Sequence, residues 1–257
     1  MPPISSSNAS EPPTSLTIII PTLKWEGLLW EALREITRYC HMRGFDYEII
    51  VVVDGDFSTS LKLECRAQAP RLRVIHHERR MGKGFAVKQG VLAASKPYVL
   101  YTDTDLSVPV DEIEKFLRVL DQGYDLAIAS RRVQGAQVLN RPMRRRLMTC
   151  VLNWFIRHTL FRGIRDTQCG FKCLRTDVAQ DLFRDMRLRG FSFDIELLGL
   201  AKHKRYRIAE VPVCYTHHRY STIRPIRDSL LTLTDVLKLA VWKWTDEMRD
   251  SAVISRN

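Results

Sequence analysis

Two aspartates, Asp103 and Asp105, stand one residue apart where an apolar run ends, in "YVLYTDTDLSVP" (98–109). Carboxylate oxygens in that arrangement suit Mg2+ or Mn2+, ions that keep coordination positions open for substrate phosphates. The same three letters are also compatible with a turn capped by acidic side chains. Other stretches carry parts that phosphate chemistry needs. In "MGKGFAVKQG" (81–90), Lys83 sits between two glycines at the start of a helical pattern. Backbone N–H groups and a cation at that place favour an anion, although the spacing is not that of a P-loop. Asp54, followed by Gly55, suits hydrogen bonding to a base or ribose. In "FSFDIELL" (191–198), Asp194 and Glu196 fall at a helix start among Phe191, Phe193, Ile195 and Leu197, which are expected to be buried. Either carboxylate is then a simple cap or a semi-buried general base.

The elements that must position these groups follow from the apolar pattern. Short runs at 16–20, 47–53, 73–76, 98–102 and 125–130 alternate with helical patterns near 26–43, 58–69, 83–95 and 110–122. Near-continuous Val, Ile and Leu runs separated by helices predict a mostly parallel sheet covered on both faces. In such sheets ligands bind beyond the carboxyl ends of the strands. That rule brings Pro21 and Thr22, Asp54, Asp103 and Asp105 to one crevice.

The chain has 257 residues and a formal net charge of +11, which fits a polyanionic partner. Residues 131–165 hold nine arginines and no Asp or Glu. Within them Met143, Leu147, Val151 and Phe155 form a helical stripe, read either as a core-packing face or as a helix lying on an anionic membrane surface. Residues 226–257 predict a C-terminal amphipathic helix and tail, with contact to a membrane or to a membrane-embedded partner protein. Residues 1–15 read as a disordered leader without the features of a signal peptide, and no apolar run is long enough to span a bilayer. The six cysteines include no C-x-x-C pair and suit reduced thiols. A basic α/β protein binding nucleic acid would also carry clustered arginines. No helix-turn-helix, RNA-recognition or zinc-finger signature accompanies them, and no nucleic-acid partner is expected.

Taken in order, "IIIPT", "IIVVVDGD", "GKGFAVKQG", "YTDTDLSVP", "IASRR", "RDTQCGFK", "FDIELL" and "EVPVCYTHHRYSTIRPIRDSL" resemble family 2 glycosyltransferases. Within that family they are most similar to the polyprenyl-phosphate (dolichyl-phosphate) glucosyl- and mannosyltransferases. The resemblance spans roughly residues 16–240 and implies a GT-A fold over 16–225. It also implies a nucleotide-sugar donor (UDP-glucose or GDP-mannose), Mg2+ or Mn2+, inverting transfer, and a polyprenyl phosphate acceptor at the cytoplasmic membrane face. By motif, Pro21, Thr22, Glu26, Asp54, Lys83, Asp103 and Thr104 would bind the donor, and Asp103 and Asp105 the metal. Asp194 matches the family's candidate base, which a hydroxyl acceptor would need and an ionised phosphate would not. Arg131, Ser221, Arg224 and Arg227 would meet the acceptor or the phosphates.

The chain departs from the family pattern in three places. Leu23, Lys24 and Trp25 precede Glu26 where relatives carry Tyr-Asn-Glu, and Val53 replaces the first aspartate of an Asp-Asp-Gly-Ser motif. Ser107 stands where some relatives place a Gln that completes the metal shell, which leaves water or Gln168 as the substitute.

Overall fold

The computed structural model describes residues 14–23, 27–55, 71–139, 163–216, 234–235 and 237–239. Strand β1 (Ser15–Thr22) carries Leu16, Ile18 and Ile20 on one face and Ile19 on the other, all fully buried. Strand β2 (Asp46–Asp54) repeats the pattern, with Ile49, Val51 and Val53 opposed to Ile50 and Val52. Apolar residues on both faces require cover on both faces. Helix α1 (Gly27–Met42) supplies Leu29, Leu33 and Ile36 to the first core. Helix α2 (Lys83–Leu92) supplies Ala86, Val87 and Val91 to the second.

Strands β3 (Leu72–His77), β4 (Tyr98–Tyr101) and β5 (Leu126–Ser130) follow, with a 3-10 turn (Val110–Glu112) and helix α3 (Ile113–Asp121) between the last two. A short strand β6 (Gln137–Leu139) precedes β7 (Lys172–Arg175), α4 (Thr176–Asp185), α5 (Phe193–His203), β8 (Ile208–Pro212) and β9 (Cys214–Thr216). The main sheet runs β3-β2-β1-β4-β7-β5-β8, and β6 pairs with β9 in a second, two-stranded sheet. Pairings β1·β2, β1·β4, β2·β3 and β5·β8 are parallel; β7 lies antiparallel between β4 and β5. The expected mostly parallel sheet is therefore present, and the five apolar runs became β1 to β5 within one or two residues at most ends.

The antiparallel β7 was not foreseen, because "KCLR" is short and opens on a charged residue. Phe193, Ile195 and Leu197 are fully buried as expected, but Phe191 is 37% exposed. It falls in the turn that precedes α5, before the helix can direct it inward. The expected helix at 58–69, the stripe at 143–155 and most of the leader lie outside the described residues. So does most of the C-terminal segment, of which Leu239 packs against Ile128, Ile164, Ile195 and Leu198. Among the described residues no helix is long and apolar enough to cross a membrane.

Helix α2 lies tightly on β1, which matters because its first turn carries Lys83. A Cβ added at Gly90 would sit 2.6 Å from Ile19 Cγ2. Gly90→Ala should therefore cost about 1–3 kcal/mol of stability through overpacking, measured by chemical denaturation.

Candidate functional site

Parallel strands deliver their ends to one edge of the sheet, and that edge gathers the chemistry. Thr22 closes β1 and is buried, with Pro21 beside it partly exposed. Asp54 closes β2 at 4% exposure, and its two oxygens accept the N–H groups of Met81 at 2.6 Å and Gly82 at 2.7 Å. The carboxylate thus holds the loop that leads into α2. Gly82 has φ +110, and a Cβ there would meet the Arg189 carbonyl at 2.3 Å, so only glycine lets the loop pass. The next residue, Lys83, reaches across to Asp103, with its Nζ 2.6 Å from Oδ1.

Asp103 and Asp105 lie in a tight turn after β4. The Leu106 N–H donates to the Asp103 carbonyl at 3.2 Å, and Leu106 itself is left-handed at φ 44. A non-glycine residue held there stores strain of about 1 kcal/mol or more, as often found where a loop must present side chains. Asp105 Oδ1 accepts the Ser107 N–H at 3.0 Å, and the Ser107 carbonyl accepts the Thr216 N–H of β9 at 2.8 Å. The Ser107 side chain lies beside the Tyr215 phenol and opposes the rise in its pKa that burial causes. Ser107 thus acts on the turn as an anchor to β9. Thr104, partly exposed, completes the turn.

Burial lowers the pKa of the Lys83 ammonium, and the carboxylates of Asp103, then Asp194, outweigh it and leave the group above its usual value. Lys83 is therefore a fixed positive charge at the start of a helix, facing two carboxylates. The donor set suits a divalent cation. Asp105 has one oxygen tied to Ser107, and no three His, Cys, Asp or Glu side chains converge on a metal position among the described residues, here or elsewhere, so the protein would offer an ion at most its paired carboxylates. One or two carboxylates plus water and diphosphate oxygens is the coordination that Mg2+ and Mn2+ accept. Asp103 is paired with Lys83, whereas Asp105 has only one oxygen engaged, by the Ser107 N–H.

Behind this front lie two buried ion pairs. Asp194, second residue of α5 and 3% exposed, accepts at Oδ1 from Lys172 Nζ at 2.6 Å and from the Tyr101 hydroxyl at 2.7 Å. Arg131, just past β5, grips Asp166 with two parallel bonds, Nε to Oδ2 at 2.7 Å and Nη2 to Oδ1 at 2.9 Å. Its guanidinium stacks 5.0 Å from the centre of the Tyr215 ring. Burial would raise the Asp166 carboxyl, yet Arg131 prevails and holds it down at about 2. Cys169 lies within the field of Arg131, Asp166, Lys172 and Asp103; burial dominates and pushes its thiol up to about 11. Glu196, raised by burial, accepts the N–H groups of Arg187 at 2.9 Å and Leu188 at 2.7 Å, fixing the loop that overlies Gly82.

Pro21, Thr22, Asp54, Lys83, Asp103, Thr104 and Asp105 thus share one edge, with Arg131 and Asp194 just behind. Glu26, Ser221, Arg224 and Arg227 lie outside the described residues. Sequence reasoning missed Lys172, Tyr101, Asp166 and Tyr215. A partial signal for Lys172 was present: a lysine flanked by Phe171, Cys173 and Leu174 is buried only when paired.

With this geometry in place, comparison with known proteins adds the lineage. Residues 17–183 match the family described as "Glycosyl transferase family 2". The chain is 28% identical over 252 residues to a dolichyl-phosphate beta-glucosyltransferase of Dictyostelium discoideum, covering 89% of this chain and 76% of that protein. It is 29% identical over 242 residues to the Mus musculus protein of the same name, covering 88% and 75%. Among solved structures, mannosyl-3-phosphoglycerate synthase from Rubrobacter xylanophilus superposes with a TM-score of 0.65 at 16% identity, over 91% of this chain and 75% of that one. A crystal structure described as that of a mycobacterial protein gives 0.65 at 18% identity, over 87% and 74%. These two share the fold.

Two outcomes test the site's construction. The folded Asp166 carboxyl sits near 2, below the 3.8 of an unperturbed aspartate. Its pair with Arg131 therefore stabilises the fold above about pH 4, and the contribution is lost as pH falls toward 2. Thermal melts across that range should show the loss, and Asp166→Asn should start about 3 kcal/mol less stable at neutral pH with a flatter slope. Asp103 leans directly on Gly170, where a Cβ would come 2.3 Å from Oδ2. Gly170→Ala should weaken Mn2+-dependent nucleotide binding about 10-fold or more, read by calorimetry, with little change in melting temperature.

Proposed function

The chain belongs to glycosyl transferase family 2, and on that premise we propose that it moves a hexose from a nucleotide sugar to a polyprenyl phosphate at a membrane surface. The observation that carries this reading is the Lys83–Asp103 pair, with Asp105 beside it, at the carboxyl ends of a mostly parallel sheet. A cation at a helix N-terminus opposite two carboxylates is matched to a diphosphate and its divalent ion. The relatives' names favour glucose as the sugar and dolichyl phosphate as the acceptor.

In the proposed reaction a phosphate oxygen of the acceptor attacks the anomeric carbon from the face opposite the nucleotide. The bond from that carbon to the diphosphate oxygen breaks, the configuration inverts, and the electron pair leaves with the nucleoside diphosphate. Lys83 stabilises the charge that grows on that leaving group, in a site where the donor group is already in place. Asp105, with Asp103 at its side, would hold a divalent cation, which would supply further neutralisation of the diphosphate. Asp54 holds the Met81 and Gly82 amides, and so the helix start, in position for the phosphates. Arg131, fixed by Asp166, is the candidate for orienting the acceptor phosphate, together with Arg224 and Arg227 of the basic segment. The acceptor oxygen arrives ionised, so no side chain has to remove a proton.

The assay supplies labelled UDP-glucose or GDP-mannose, Mg2+ or Mn2+, and dolichyl or undecaprenyl phosphate. A labelled glycolipid is expected. Transfer to soluble hydroxyl acceptors with none to lipid phosphate would favour a saccharide acceptor, with Asp194 as base. Asp105→Asn should lower metal-dependent turnover about 100-fold or more with an unchanged melting temperature. Full activity in that variant would remove Asp105 from the metal site.

A further inference from the structure

Lys172 has no exposed surface, and it opens the one strand that runs antiparallel between β4 and β5. Its register sets it opposite Tyr101. Its ammonium lies 2.6 Å from Asp194 Oδ1 and 2.7 Å from the Cys169 carbonyl oxygen. The Tyr101 hydroxyl completes the cluster on the same Asp194 oxygen. A buried ion pair is a poor source of stability, since an apolar pair of equal volume commonly does as well or better. The location of this pair is more informative. The Cys169 carbonyl and the Gly170 nitrogen belong to one planar peptide group. By holding that carbonyl, Lys172 fixes the peptide plane against which Asp103 rests, so closely that Gly170 has no room for a side chain. On its other side, Asp194 adds to the negative field around Lys83, the partner of Asp103.

We propose that Lys172 is a positioning residue for the nucleotide-diphosphate site, setting Asp103 through the Cys169–Gly170 peptide, and that Asp194 is its counter-ion rather than a proton acceptor. Asp194 presents to Lys172 and Tyr101 an oxygen that already receives two donors, on a side chain 5% exposed, the placement of a counter-charge rather than of a base open to an acceptor hydroxyl. An enzyme built this way is committed to an acceptor that arrives ionised. This inference rests on the donor-site reading given above.

The test compares Lys172→Met and the double variant Lys172→Met/Asp194→Asn with the parent protein. The readouts are melting temperature and the Mn2+-dependent affinity for UDP and GDP by calorimetry. Lys172→Met alone leaves the buried Asp194 charge without its ion-pair lysine, with only the Tyr101 hydroxyl bonded to it, and should melt well below the parent. The double variant removes both charges and should recover most of the melting temperature, yet bind nucleotide with Mn2+ about 10-fold or more weakly than the parent. Parent-like affinity in the double variant, whatever its stability, would make Lys172 a mere counter-charge and overturn the proposal. The measurement needs no acceptor. A parent protein that binds nucleotide but forms no glycolipid would therefore defeat the acceptor assignment alone.

Discussion

The ion pair between Lys83 and Asp103 ties the first turn of α2 to the end of β4, and most of the site's construction can be traced to that contact. Lys83 reaches Asp103 only if α2 lies close to the sheet, which Gly90 permits by leaving its space to Ile19. Its loop must pass beneath the Arg189 carbonyl, which Gly82 permits, and must be held by the Asp54 carboxylate. Asp103 in turn needs the bare backbone of Gly170 behind it. Close approaches at glycine and one aspartate bonded to two amides together locate a single positive charge. That charge stands where a helix N-terminus already favours an anion.

Beneath this front, charge is arranged in layers. Lys172 with Asp194 and Arg131 with Asp166 are buried pairs whose oxygens take further donors from Tyr101 and from the backbone of Arg131. Hydrogen bonding of this kind is what makes a buried ion pair tolerable. It also fixes where each side chain can sit, because leaving the pair would strand a buried charge. Glu196 extends the same logic to the loop above α2 by accepting two of its amides. The first turn of α5 therefore braces the site from two directions, inward to the sheet through Asp194 and outward to the loop through Glu196.

Much of this was legible in the amino-acid sequence, and the reasons for success and failure are physical. Strands β1, β2 and β4 were readable because burial on both faces leaves near-continuous apolar runs, and their ends named Thr22, Asp54 and Asp103 directly. Strand β7 was not, since four residues beginning with a lysine carry no period that distinguishes a strand from a loop. Missing β7 meant missing Lys172, and with it the partner that defines Asp194. Asp194 drew attention as a carboxylate at a helix start, but spacing alone cannot say whether such a group faces a substrate or an ammonium. Ser107 looked like a weak substitute for a metal ligand. Its backbone instead ties the turn locally to Asp105 and, across the fold, to Thr216 of β9, a contact that no local pattern encodes.

A single edge of the sheet thus presents a fixed ammonium, two carboxylates and a tight strained turn, all backed by buried ion pairs. A diphosphate and its divalent ion are proposed to bind there. Anomalous diffraction from crystals grown with Mn2+ and UDP or GDP tests this most directly. The expected result is a manganese peak about 2.1 Å from an Asp105 carboxylate oxygen, with the diphosphate lying toward Lys83. A peak away from Asp105, or nucleotide bound without its phosphates near Lys83, would contradict it.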